Sequence, residues 1–168
     1  MTPEQVAARC EYFSSVHGIT RRAIAVFGDS DLSFRPAPGM RSPRELIFHV
    51  YTQAKLLADA ARSGRMSMEA AEASNPESTA GAAECVRLTT VSAVRAYADD
   101  CQRVLDTTFR QMSADDLHRP VESPFGTYPA WRYLAFAYDE HWHHRGQLYT
   151  YLRLLGKEPP MLYDYGNE

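Results

Sequence analysis

Long apolar runs are missing from this 168-residue chain. None approaches the roughly 20 consecutive apolar residues that a membrane-spanning helix needs, so no membrane partner is expected. Basic blocks are missing as well: 18 Lys and Arg stand against 21 Asp and Glu, for a formal net charge of −3, and the basic residues are scattered. A duplex-binding protein needs a basic face to release counterions from phosphates, and nucleic acid is excluded as an expected partner on that ground. Cysteine is scarce. Cys10, Cys85 and Cys101 are widely spaced with no C-x-x-C pair, which argues against a disulfide framework or a zinc knuckle and for reduced, partly buried thiols. No charged-then-apolar leader opens the chain; Met1-Thr2-Pro3-Glu4-Gln5 reads as the start of a helix, and a cytoplasmic protein is expected. Internal repeats and period-two alternation of any length are absent too.

What remains is an ordinary globular balance, 45% apolar and 23% charged, in a length that suits one domain over residues 1–168 with a sizeable core. Thr2-Pro3 supplies an N-cap and a first-turn proline, and Val6, Cys10, Phe13, Val16 and Ile19 recur at the helical period, predicting a helix to about Phe27. Gly28-Asp29-Ser30 stops it, and Pro36-Ala37-Pro38-Gly39 is a loop. Ser42-Pro43-Arg44-Glu45 is a capping box with proline at the first helical position, followed on one face by Leu46, His49, Val50, Gln53, Leu56 and Leu57. From Arg62 to about Leu88 the chain is rich in Ser, Glu, Ala, Met and Gly and broken by Asn75-Pro76. At most one short helix is expected there, and its length suits a crossing from one end of a bundle to the other.

Thr90 or Ser92 can start a third long helix, with Val94, Tyr97, Ala98, Cys101, Val104, Leu105 and Phe109 as its apolar stripe, ending near Met112. A polar connection from Ser113 through Pro120, Pro124, Gly126 and Pro129 follows. Ala130 to Leu155 is the longest uninterrupted helical pattern, stopped by Gly156 and Pro159-Pro160. Four long amphipathic helices predict an all-α protein, a four-helix bundle.

Three of the six histidines fall within Glu140-His141-Trp142-His143-His144-Arg145-Gly146-Gln147. Residues three or four apart on a helix share a face, so Glu140 with His144, or His141 with His144, can grip one ion. At about 100° per residue His144 shares the inward stripe with Tyr133, Ala137, Leu148, Tyr151 and Leu155. Glu140 falls about 40° to one side of it and His141 about 60° to the other, and periodicity does not separate them. His143 points away. His49, on the apolar face of the second helix, is a third corner: a buried imidazole there needs a partner. A lone histidine in that place is more often a hydrogen-bonded core residue. Together with an inward His/Glu pair on another helix, it is how bundles build metal sites.

The stretch His143 to Pro160, H-H-R-G-Q-L-Y-T-Y-L-R-L-L-G-K-E-P-P, together with Ser42-Pro43-Arg44-Glu45-Leu46-Ile47-Phe48-His49, resembles the DinB-like (DinB/YfiT) metalloprotein superfamily. The resemblance implies an up-down-down-up four-helix bundle, often a homodimer, in which a second-helix histidine and an H-x-x-x-H pair on the last long helix bind one divalent metal. By position His49 matches the first ligand and His144 the last. Glu140 stands where the family most often has its middle histidine, and His141 is displaced from that register by one residue. The i to i+4 spacing favours His49, Glu140 and His144 as the ligand set, suited to zinc, nickel, iron or manganese.

Two histidines and one carboxylate leave coordination positions open, the arrangement of catalytic sites. A metal-dependent enzyme of small molecules is therefore expected, and the resemblance extends this to thiol-dependent transfer or isomerisation, or to hydrolysis. No catalytic residue beyond the ligands is identifiable. The rivals are a non-catalytic metal-binding or stress-response protein whose ion is structural, and a metal-free bundle in which His49 and His144 bond buried polar groups. Arg145 can clamp an anionic group or pair with an acidic neighbour, and Trp142 can wall a pocket or a dimer interface. Gly146, in mid-helix, suggests close approach of another helix or a ligand. The aromatic tail Met161-Leu162-Tyr163-Asp164-Tyr165 is expected to cover the bundle end or a second subunit.

Overall fold

Capping fixes where the long helices begin. The computed structural model describes residues 1–165, and in it Thr2, Ser42 and Thr90 each accept a backbone N–H from three residues on. They open α1 (Pro3–Val26), α2 (Pro43–Ser63) and α5 (Val91–Arg110); Thr2 and Ser42 complete capping boxes with Gln5 and Glu45. A short 3₁₀ turn at Asp29–Ser33 follows α1. The fourth long helix, α7 (Trp131–Leu154), has no side-chain cap and grows from Ala130, whose N–H is bonded to Arg119 O. Gly156 closes it at φ +71°, a conformation open to glycine without strain.

Two connections differ from expectation. The Arg62–Leu88 crossing holds two short helices rather than one, α3 (Met68–Ala73) and α4 (Thr79–Cys85), capped by Ser67 and Ser78 on either side of the Asn75-Pro76 break. The polar connection after α5 is also ordered. It forms α6 (Ala114–His118) and a hairpin of β1 (Pro120–Ser123) and β2 (Gly126–Pro129). Only four residue pairs make this hairpin and Val121 is its one buried residue, so it is too short to leave an alternating pattern in the sequence. It is held to the end of α2 by Glu122 N–H to Gly64 O (3.0 Å) and Met66 N–H to Glu122 O (2.8 Å).

α2 packs along both α5 and α7, and α1 along the same two, so α1 and α2 stand on one diagonal of the bundle. One apolar cluster takes the C-terminal halves of α1 and α7 and the N-terminal halves of α2 and α5; a second takes the opposite halves. α1 and α7 therefore run one way, and α2 and α5 the other. Between the clusters lies a belt that includes Thr20, His49, Gln102, His141 and His144, all buried polar residues. Burying polar groups at mid-height costs free energy unless each finds a partner, and the chemistry of the molecule is concentrated there. Among the described residues no helix is long and apolar enough to cross a membrane.

Candidate metal centre

The Ser42 capping box starts α2 so that His49 falls on the side facing α7, with only 7% of its surface exposed. Its Nδ1 lies 3.0 Å from Ser74 O, in the crossing segment just after α3. A carbonyl only accepts, so Nδ1–H donates and the Nε2 lone pair is left free. His144 repeats the arrangement on α7: its Nδ1 is 2.7 Å from Gln147 Oε1, one helical turn on, which turns its Nε2 the other way.

Both Nε2 atoms face the half-exposed Glu140. Glu140 Oε2 lies 3.3 Å from His144 Nε2 and 3.9 Å from His49 Nε2. The two imidazoles stand edge to face with centroids 5.0 Å apart, and one ligand atom from each of His49, Glu140 and His144 lies within 4.8 Å of the others. The His144 ring, and behind it the His49 ring, holds the Glu140 carboxyl below the usual glutamate range, so it is ionised at neutral pH. Burial first, then Arg41 and the neighbouring imidazole, pushes His49 below the usual imidazole range, and it is neutral there. Two imidazole nitrogens and a carboxylate thus converge on one point. That donor set fits a divalent cation.

His141, the alternative to Glu140, is elsewhere. Its ring turns towards α1, where Nε2 donates to Thr20 Oγ1 at 2.7 Å while the hydroxyl donates to Val16 O. Phe13 and Tyr51 pack edge-on against it at 5.1 and 5.6 Å, and burial drives its pKa far below the ordinary value. The roughly 100° between neighbouring residues separates the two: Glu140 reaches α2 and His141 reaches α1. His143 is exposed.

Arg145 and Trp142 do not wall this centre. They stack on each other on another side of α7, with Arg145 Cζ 3.8 Å from the indole centroid, and among the described residues no carboxylate pairs with Arg145. Among the described residues nothing outside the helix's own nearby backbone comes within 4 Å of a Cβ built on Gly146, so the expected helix contact is not seen there. The tail turns back onto α1, where Tyr165 Oη meets Tyr12 Oη at 3.3 Å. All three thiols are buried and free, with pKa values pushed up to about 11. Such thiols are poor nucleophiles at neutral pH.

Two partners escaped the sequence reading. Gln147 sits at i+3 from His144, a spacing that could have pointed to it. Ser74 contributes a backbone carbonyl, which no side-chain pattern announces. Glu140 also lines a cavity of about 390 Å³ walled by Gln53, Leu57, Met68, Tyr128 and Phe136, among others. His144 lines a smaller one of about 270 Å³ with Leu46, Gln147 and Tyr151.

The DinB superfamily model matches residues 12–148 of the chain. A DinB-like protein of Bacillus subtilis, YjoA, superposes with a TM-score of 0.70 at 20% identity, over 94% of this chain and 96% of that one. A mycothiol-dependent maleylpyruvate isomerase superposes with a TM-score of 0.66 at 20% identity over 88% of this chain. A histidine-to-alanine mutant of such an isomerase does so at 0.64 and 18%. This chain spans 61% of the isomerase's length. No protein of curated function matches the sequence. At these identities the likeness is one of fold.

Proposed function

The chain belongs to the DinB superfamily, and from that premise and the convergence of two imidazole nitrogens and a carboxylate we propose that His49, Glu140 and His144 hold one divalent metal ion in an enzyme acting on small molecules. The observation that carries the proposal is the orientation of the imidazoles. Each Nδ1–H is tied to an oxygen, Ser74 O or Gln147 Oε1, which fixes both rings with Nε2 towards Glu140. With each ring held by its Nδ1–H, both Nε2 atoms and the carboxylate point at a common position, where a divalent cation would find three ligand atoms already oriented.

Zinc, nickel, iron and manganese all suit two imidazoles and one carboxylate. When bound, such an ion polarises a substrate oxygen or lowers the pKa of a thiol or water beside it. The protein's own contribution is placement. Ser74 and Gln147 keep the rings from turning, and Glu140 brings a negative charge that lowers the net charge of the site. Leu57, Met68, Tyr128 and Phe136 give the adjoining cavity apolar walls, with the Gln53 amide as a polar handle. That volume suits a small organic substrate. A thiol as co-substrate is the finer part of the proposal, favoured by the shared fold with a protein described as a mycothiol-dependent isomerase. The family resemblance favours a homodimer.

Metal analysis of protein purified without an affinity tag tests the assignment. About one ion per chain is expected, with loss of that ion in His49→Ala; metal content unchanged by the substitution would remove His49 from the site. Metal-loaded protein is then assayed against thiol adducts and simple esters. Full metal occupancy with no turnover and no exchangeable water on the ion would favour a structural role.

A further inference from the structure

Arg145 is one residue beyond His144 and turns away from the metal centre into an environment that leaves it incomplete. Only 2% of the residue is exposed. Trp142 stacks on the guanidinium at 3.8 Å, and the Tyr149 ring lies 6.0 Å away. Stacking satisfies the face of a guanidinium and leaves its in-plane N–H groups unaddressed. Here both terminal nitrogens, Nη1 and Nη2, are buried without a hydrogen-bond partner among the described residues, and so is the neighbouring Tyr149 hydroxyl. Three polar groups able to donate at one place are rarely left bare in a folded protein.

These residues line a cavity of about 820 Å³ between α7 and the segment that follows it, bounded by Trp142, Gly146, Arg153 and the stretch from Pro159 to Leu162. Gly146 keeps the helix face bare, since a Cβ there would meet nothing within 4 Å. The charges in the wall are unbalanced. Lys157 is spent on Asp31 and the Val26 carbonyl, and Arg153 lies 5.9 Å over the Tyr149 ring. Glu158, the carboxylate in the wall, is exposed and forms no ion pair with either arginine among the described residues. A planar fork of N–H donors beside a hydroxyl matches the two oxygens of a carboxylate, and the indole, prolines, methionine and leucine around it match an apolar body.

We propose that this cavity is a second binding site, separate from the metal centre, for a small organic carboxylate with an apolar body, held by Arg145 and Tyr149 through its oxygens and by Trp142 through its body. Benzoate and inorganic phosphate are the probes, each titrated into the full-length protein and followed by tryptophan fluorescence, which Trp142 reports, and by calorimetry. Benzoate should bind saturably at one site per chain and more tightly than phosphate.

Arg145→Met should weaken benzoate binding by about tenfold or more, the loss expected for a charge-assisted pair, and Tyr149→Phe by a smaller factor of about threefold. Gly146→Leu keeps both polar groups but fills the cavity, and it should also abolish binding. Unfolding midpoints identify any variant that has failed to fold, in which case the other two decide. Benzoate binding that survives Arg145→Met and Gly146→Leu, or no saturable binding to the parent protein, would overturn the site. Phosphate binding as tightly as benzoate would overturn its assignment to a carboxylate with an apolar body.

Discussion

Two pairs of histidines occupy the same mid-height belt and have opposite characters. His49 and His144 each commit one ring nitrogen to an oxygen and turn the other towards Glu140. In the other pair, His17 commits both of its nitrogens. Its Nδ1 accepts from Tyr51 Oη at 2.8 Å and its Nε2 donates to Asp99 at 3.0 Å, while Arg21 holds the other carboxylate oxygen of Asp99. Its companion His141 is spent on Thr20 and enclosed by Phe13 and Tyr51. Residue type and depth of burial are nearly the same in the two pairs. What separates a candidate ligand from a structural imidazole is where the remaining nitrogen is placed: both His17 nitrogens are taken, and the His141 ring is turned to Thr20 and α1, away from Glu140.

The sharpest way to break this contrast is to exchange the fates of neighbours on α7. Glu140→Ala should weaken metal binding by more than about a hundredfold, beyond the range seen when an outer hydrogen-bond partner is lost. His141→Ala should leave metal content unchanged and instead destabilise the fold by about 2–4 kcal/mol through the cavity it opens. Competition with a chelator and thermal unfolding measure the two, and equal metal loss from both would erase the distinction.

Ser74 offers a second test, since it depends on how the crossing segment packs. A Cβ on Gly81 would stand 2.0 Å from Asn75 O, a backbone atom. Gly81→Ala must therefore push aside the backbone next to Ser74, at a cost of about 1–3 kcal/mol, and metal affinity should fall with stability. Unaltered affinity would mean that Ser74 does not orient His49. Gln147→Leu, which frees the His144 ring without removing a ligand, should cost about tenfold to a hundredfold in affinity; if isothermal titration shows no loss, the ring is held by packing alone.

The smallest effect lies in the second pair. Burial lowers the pKa of His17 despite Asp99 beside it, so below the ordinary imidazole value of about 6.5 the unfolded chain binds the proton more readily than the folded one. Stability is full above that value and falls as pH drops towards the folded pKa. In metal-free protein His17→Gln should make the fall in unfolding midpoint between about pH 7 and pH 5 shallower. An identical slope in parent and variant would show that another group carries the dependence.

The long helices were legible because capping boxes and apolar stripes are local. Ser42-Pro43-Arg44-Glu45 marks the start of α2 to the residue, and Val6, Cys10, Phe13, Val16 and Ile19 are all buried as their spacing required. The hairpin was not legible, because four residue pairs with one buried side chain carry no period. Of the two short helices of the crossing only one was expected, since they pack on α2 and carry no apolar stripe of their own.

For the site, sequence brought His49, Glu140, His141 and His144 to the belt and went no further. A helix fixes each residue's angle about its own axis, and that much is written in spacing. Which neighbour occupies the space at that angle depends on chain segments far away in sequence. Ser74 closing over His49, Thr20 claiming His141 and the bare cavity beside Arg145 were decided only when the helices packed, because a hydrogen bond needs both of its partners in place.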